Sequence, residues 1–394
     1  MSSVIAFTKD WSDVPTCTTH ILRTLGKQQP VFWINSVGVR KPSMTSSRDL
    51  KRFWRKGKAA LNQHFELKEN QLRVLSPFVI PMAQAGWAKS FNRRMLGSAV
   101  KRELKSLPTE LHETEHWAFI PSGGDYIGAF HEKTVIYYCV DDWSNMHGVD
   151  PVEIVRCEKL MLQHADIVFA TSRHLQDKCA SQTEAPVHYM PHGVDHRLFS
   201  TALGNDLDIP EELHHLPRPI VGFYGNLVDR IDFKLVAKLA KAKPEWSFVM
   251  VGPVVHDLGE LPTLNNVYLP GRKEHLELPA WCKGFDVAMI PYDMDNPLNM
   301  SVNPIKAREI LATGTPIVAT PLPELVNMSS WVKTAFSIDE WVQAIEDFLL
   351  NADAQTISDS VKADDWAARI MQIRQMVDDT KVNKSGMTPC PAGS

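Results

Sequence analysis

The sequence predicts an α/β protein of two doubly wound domains, each a parallel sheet between helices, facing one another across a cleft. Three observations predict this class. Short apolar runs alternate with polar or helical stretches along most of the 394 residues, as buried parallel strands joined by helical crossovers do. The runs fall into two series, separated at 200–218 by a stretch of acids with Gly204, Pro210 and Pro217 that has linker composition. At about 150 residues per domain, the chain has room for two full cores.

The first series opens on the run 4–7 (VIAF), passes through a loop and a helix ending near Lys27, and reaches the run 31–34 (VFWI). A strand, helix, strand succession of this length implies a parallel pair. Further strands at 72–79, 117–120, 135–140, 167–170 and 187–190 complete a first domain over residues 1–199. After the linker, the second domain (219–361) begins with 219–225 (PIVGFYG) and a helix ending at Ala242. It continues through strands at 248–252, 267–269, 287–290 and 316–320 to a helix at 341–350. A last helix is expected at 364–377, within a segment 362–380, and the Gly, Ser and Pro of 381–394 predict a disordered tail.

Composition excludes several classes. An apolar share of 44% and a charged share of 22% are those of an ordinary globular protein. The six cysteines are scattered without a CxxC pair, which argues against a disulfide framework and a zinc site and fits a reducing compartment. Lys9 and Asp10 come too soon for a signal peptide, and no run approaches the ~18 apolar residues of a membrane span. The expected location is the cytoplasm. No G-x-G-x-x-G follows a predicted strand, which sets a dehydrogenase aside. His112 and His116 are four apart but lack a third ligand, so no metal site is expected.

Charge is divided unevenly. Residues 1–105 hold 19 Lys and Arg against 6 Asp and Glu, a net +13; the remainder holds 23 against 40, a net −17, within a total of −4. The first domain therefore either faces something anionic, such as phosphates or a membrane surface, or is simply a solvated basic surface. Six bases lie within 48–58, and 87–105 mixes six more with Trp87, Phe91 and Met95 without separating into one apolar and one basic face. That mixture favours electrostatic attraction to anionic lipid, or to a lipid diphosphate, over deep insertion. Nucleic acid is not expected, since no binding motif accompanies the charge.

The informative loops follow strands. Gly225, after the first strand of the second domain, lets backbone N–H groups approach a phosphate at the start of a helix, although such a glycine is as often structural. Asn226 and Arg230 lie in the same loop. In Asn303-Pro304-Ile305-Lys306-Ala307-Arg308-Glu309, a helix starting near Pro304 places Lys306 in its first turn and Glu309 one turn on, with Gly314 ending it. Lys306 is suited to a diphosphate and Glu309 to ribose hydroxyls. The alternative is a solvated Lys and a Glu favoured by the helix dipole.

These residues carry a resemblance. Pro304-x-Lys306-x-x-Glu309, followed by Leu311-Ala312-x-Gly314-x-Pro316-Ile317-Val318-Ala319-Thr320 and Leu322-Pro323-Glu324, resembles the signature of family 4 glycosyltransferases of the GT-B superfamily. The strand 165–172 (ADIVFATS) and the turn Pro191-His192-Gly193-Val194-Asp195-x-x-x-Phe199 are similar to two more of its motifs. Residues 10–16 (DWSDVPT) and 140–144 (VDDWS) further resemble a subgroup that includes teichuronic-acid and capsule-type transferases. The resemblance runs from about residue 4 to residue 378.

It implies two Rossmann-like domains, with a nucleotide-diphosphate sugar bound mainly by the second and an acceptor by the first. It also implies transfer with retention at the anomeric carbon, a last helix crossing back to the first domain, and neither metal nor cofactor. The acceptor would be lipid-linked or a polysaccharide in bacterial surface glycan synthesis, and the enzyme cytoplasmic or peripheral on the inner face of the plasma membrane. Gly225 and Lys306 match the diphosphate positions, and Glu309 the second acid of the family's E-x7-E pair. Ser301 stands where the first acid belongs, which passes donor-sugar recognition to Asn299 or Asn303. The loop after Tyr224 lacks the usual spacing of bases, which shifts phosphate neutralisation towards Lys306 and Arg308.

In the first domain, Asp141 takes the place of a His found in many relatives and is the preferred catalytic candidate, with Asp142 second or a helix cap. Asp10, Trp11, Ser12 and Asp13 follow the first strand, where the family contacts acceptor and donor phosphate. They either serve the cleft, Trp11 stacking on a sugar, or cap the next helix. His192 and Arg173 are further cleft candidates. Two rival readings are an inactive binding subunit of a polysaccharide assembly complex and a sugar-nucleotide epimerase.

Overall fold

The computed structural model describes residues 2–13, 15–36, 65–77, 79–80, 86–107, 113–146 and 148–386. The basic run 48–58, His112 and the end of the tail lie outside the described residues. The chain divides into two compact units, Met1–Pro191 with Ile370–Ser394, and His192–Arg369.

The first unit runs β1 (Ser2–Phe7), α1 (Cys17–Gly26), β2 (Val31–Ile34), β3 (Glu66–Glu69), β4 (Leu72–Leu75), α2 (Gly86–Leu104), β5 (Glu113–Ala118), β6 (Thr134–Cys139), α3 (Pro151–His164), β7 (Ile167–Ala170), α4 (Arg173–Ala180) and β8 (Val187–Tyr189). The sheet order is β3-β4-β2-β1-β5-β6-β7-β8. Every residue of β1, β2, β6 and β7 is buried, as a parallel sheet covered on both faces requires. The exception is β3 (ELKE), largely exposed and antiparallel to β4. Charges there blunt the edge against pairing with another chain, and the lack of an apolar run hid this strand from a sequence reading. The sheet turns back between β1 and β5, so the loop after β1 opens at its topological switch point.

The second unit contains α5 (His196–Phe199), α6 (Glu211–His214), β9 (Ile220–Tyr224), α7 (Phe233–Ala242), β10 (Ser247–Val251), β11 (Val267–Gly271), α8 (Leu278–Lys283), β12 (Val287–Ile290), α9 (Ile305–Ala312), β13 (Ile317–Ala319), β14 (Val332–Thr334), α10 (Ile338–Asn351) and α11 (Ala354–Asp359). Its six strands are all parallel, in the order β11-β10-β9-β12-β13-β14. Successive β9 side chains alternate between two cores: Ile220 and Tyr224 pack with Trp281 and Leu311, while Val221 and Phe223 pack with Val236 and Trp341. Between them, Gly222 has no room for a Cβ, which would collide with the Phe285 ring.

Two expected boundaries are corrected. The segment 200–218 is not a spacer: Phe199, Ala202 and Leu213 are buried, and Phe199 and Leu213 enter the second unit's core beside Trp281. The second unit therefore begins at His192, before the expected limit of 199. The last helix, α12 (Trp366–Gly386), starts two residues later than expected and runs through the first residues of the supposed tail. From Ile370 it belongs to the first unit, where Arg374 and Lys381 reach the buried Glu115 at 2.8 and 2.6 Å and Lys384 reaches Asp166 at 2.8 Å. These ion pairs explain why 381–386 stays helical.

Candidate active site

In the second unit, the switch point falls between β9 and β12, and the two loops leaving their C-terminal ends are joined. Asp232 N–H donates to Pro291 O at 2.8 Å and Asp293 N–H to Arg230 O at 2.9 Å. The clasp is Asn299, fully buried: its Nδ2 donates to Arg230 O (2.9 Å) and Asp293 O (2.8 Å), and its Oδ1 accepts from Arg230 Nε (2.9 Å). An amide is the side chain that can both donate and accept in this way. Ser301 is buried and donates to Leu298 O at 3.0 Å.

Lys306 leans into this junction from the first turn of α9. Its ammonium lies 4.2, 5.4 and 6.0 Å from the ring centroids of Phe223, Tyr292 and Tyr224. Gly225, at φ 141°, lies so close that a Cβ would collide with Lys306 Nζ. A cation held by ring faces rather than by a carboxylate keeps its charge available for an anion. Arg230 approaches the Tyr292 ring at 5.8 Å, and its buried Nη2 has no hydrogen-bond partner among the described residues. Asn226 is exposed beside Gly225. Lysine, arginine and a glycine at positive φ converge at a helix start, an arrangement whose chemistry suits an anion.

The neighbouring candidates point elsewhere. Arg308 is buried and committed, donating from Nε to Asp364 (2.9 Å) and from Nη1 to Asn303 Oδ1 (3.0 Å), so it is a structural link and not a phosphate ligand. Asn303, also buried, donates to Glu324 at 3.2 Å. Glu309 shares the Lys306 face one turn on, and both its oxygens have donors: Tyr224 Oη at 2.6 Å and His275 Nε2 at 3.2 Å. Burial first, and then the Glu309 charge, push the Tyr224 phenol well above its ordinary pKa. The hydrogen bond to Glu309 outweighs burial and raises the His275 pKa.

In the first unit, Asp10 accepts from Ser36 N–H (3.1 Å) and Ser36 Oγ (2.7 Å), fixing the loop after β1. Ser12 and Asp13 are exposed beyond it. Trp11 is not a free stacking platform: it meets Trp33 edge-on at 5.1 Å, the Arg23 guanidinium lies 5.1 Å from its centroid, and its backbone N–H donates to Asn35 Oδ1 at 2.8 Å.

Asp141, half-buried, and Asp142 follow β6. Asp142 is turned inward, accepting from Ser144 Oγ (2.6 Å), Asn145 Nδ2 (2.8 Å) and Lys178 Nζ (2.9 Å). Burial works against its charge, but the bonds from Ser144 and Lys178 prevail and lower its pKa. Asp142 therefore holds structure, and the second catalytic assignment falls. It stands at the N-cap of the short turn Trp143–Asn145, where its carbonyl accepts from Asn145 N–H at 3.1 Å, but its side chain accepts from no backbone N–H of that turn. Arg173 stacks on Tyr189 at 3.8 Å. His192, half-buried in the second unit, faces Trp366 at 6.5 Å.

Sequence reasoning missed His275, Tyr292 and the clasp role of Asn299. Tyr292 carried a weak signal, an aromatic two residues past a strand end. His275 carried none, because its partner Glu309 is 34 residues away. It also missed Asp125, Glu153 and Cys157, whose ligand atoms converge within 4.8 Å. Arg156 bonds to both acids, so the group is an ion-pair knot. Among the described residues, no helix is long and apolar enough to cross a membrane.

Residues 218–351 match the family model of glycosyl transferases group 1. A stretch of 211 residues is 31% identical to TuaH of Bacillus subtilis (strain 168), named as a teichuronic acid biosynthesis glycosyltransferase. It covers 49% of this chain and 52% of TuaH, so the chain spans about half the length of the curated relative it matches. Among solved structures, a sucrose-phosphate synthase from Thermosynechococcus elongatus is similar over 97% of this chain and 100% of its own, with TM-score 0.66 at 14% identity. Anabaena Alr3699/HepE in complex with UDP and glucose is similar over 96% of this chain and 99% of its own, with TM-score 0.63 at 12% identity. Residues 218–351 thus match the glycosyl transferases group 1 family model, and the chain as a whole carries the two-domain GT-B fold.

Proposed function

We propose that the chain is a retaining glycosyltransferase that moves a sugar from a nucleotide-diphosphate donor to a lipid-linked or polysaccharide acceptor in bacterial surface glycan synthesis. The observation that carries this reading is the Lys306 ammonium, held by three aromatic rings against Gly225, with Arg230 Nη2, which has no hydrogen-bond partner among the described residues, beside the same Tyr292. That arrangement suits the diphosphate, whose departure with the bonding pair breaks the sugar C1–O bond while the acceptor oxygen forms a new one on the same face. Glu309 suits the ribose. Asp141, with Asp142 committed to Lys178, suits the acceptor hydroxyl, and the exposed Asp13 follows it. UDP is the first base to try, because a neighbour of the same fold was solved with it.

The enzyme works in the cytoplasm at the inner face of the plasma membrane. Trp87 (60% exposed), Phe91 and Met95 stand at four-residue intervals on α2, and the exposed Arg94, Lys101 and Arg102 share their face. That mixed face supports shallow attachment to anionic lipid. The reaction needs no metal. The test is donor consumption with and without an isoprenoid-diphosphate sugar as acceptor, in EDTA. Acceptor-dependent release of nucleoside diphosphate with an unchanged anomeric configuration fits the proposal. Inversion removes the retaining step, acceptor-independent release of free sugar favours the epimerase, and binding without turnover favours the inactive subunit.

A further inference from the structure

We infer that Tyr224 and His275 are positioning residues that fix the Glu309 carboxylate for the vicinal hydroxyls of a ribose. The inference rests on the donor reading above and extends it to the Tyr224 hydroxyl and the His275 ring, neither of which that reading uses. Each oxygen of Glu309 accepts from a different neighbour, Oε2 from the Tyr224 hydroxyl at 2.6 Å and Oε1 from His275 Nε2 at 3.2 Å. One donor leaves a carboxylate free to rotate about its terminal bond; two donors on opposite oxygens define its plane. Each oxygen has two lone-pair sites, so one site on each remains, matching two adjacent hydroxyls.

The two clamps are themselves held. Tyr224 is the last residue of β9, buried, and next to Gly225 in sequence. His275 opens the turn after β11 and meets Phe199 edge-on at 5.5 Å. Phe199 ends α5, whose first turn is capped by Asp195 accepting from Leu198 N–H at 3.0 Å. The segment Asp195 to Phe199 thereby gains a role as the support behind His275. Spacing along α9 agrees: Lys306 and Glu309 are about one turn apart, or ~5 Å, and in a nucleotide the ribose is the group next to the diphosphate.

The experiment is calorimetric titration of the full chain with UDP and GDP, each beside its 2′-deoxy form, for the wild type, Tyr224→Phe, His275→Phe and His275→Gln. The wild type should prefer the ribonucleotide by about tenfold. Tyr224→Phe and His275→Phe should erase most of that preference while leaving the deoxynucleotide affinity in place, and His275→Gln, which keeps a donor, should restore part of it. A wild type that binds a ribonucleotide without preferring it to the deoxy form overturns the inference and spares the donor reading. Parallel loss of both affinities in the variants overturns it too, by making the residues merely structural. A wild type that binds no nucleoside diphosphate overturns the donor reading, and this inference with it.

Discussion

Lys306 and Asp141 divide the proposed chemistry between them. Replacing Lys306 with Ala removes a charge that no carboxylate among the described residues neutralises, and donor affinity should fall by about tenfold or more, since charge-assisted bonds to phosphate are the strong ones. Calorimetry with the folded variant reads this directly. Asp141→Asn should leave donor affinity unchanged and slow transfer by about a hundredfold, the usual scale of acid–base assistance; steady-state kinetics separates the two. Lys306, Gly225 and Glu309 were legible in the sequence because their places follow from local rules for strand ends and helix starts. Arg308 and Asp142 were not. Each sits next to a candidate of the same kind, and what decided between neighbours was a partner far along the chain, Asp364 for Arg308 and Lys178 for Asp142.

Among elements, α12 shows how one buried carboxylate anchors a helix. Burial alone would raise the Glu115 pKa, but the Arg374 guanidinium and the Lys381 ammonium outweigh it and bring it down to about 2. A depressed carboxylate stabilises the fold above its unfolded pKa of about 4.3. That contribution, on the order of 3 kcal/mol, is lost as pH falls from there towards 2. Glu115→Gln should therefore unfold at lower urea near neutral pH and lose the part of the acid sensitivity that Glu115 supplies, which urea midpoints from pH 7 to 3 would reveal. For α2, replacing Trp87 and Phe91 together with Ser should weaken sedimentation with anionic vesicles at least threefold while leaving neutral vesicles unaffected; equal binding would assign the basic face to solvent. The strands were legible as elements because their apolar runs are continuous. The edge strand β3 and the folded segment 200–218 were hidden, the first by its charges, the second by a few buried apolar side chains among acids.

At the scale of the molecule, two series of parallel strands each turn back once, at β1/β5 and at β9/β12. Loops gather at those points, which is why residues distant in sequence, such as Gly225, Arg230, Tyr292 and Lys306, meet in one place. The order of strands is not written in any single run, so the sequence could announce two sheets but not that Asn299 would clasp two loops. The most direct test of the donor site is a thermal-shift titration of the full chain with UDP, GDP and dTDP sugars, with and without EDTA. A nucleotide that binds only the folded state raises its melting temperature in a concentration-dependent way. The account predicts saturable stabilisation by one base class, unaffected by EDTA and much reduced in Lys306→Ala; no shift with any donor, or a shift that EDTA abolishes, would contradict it.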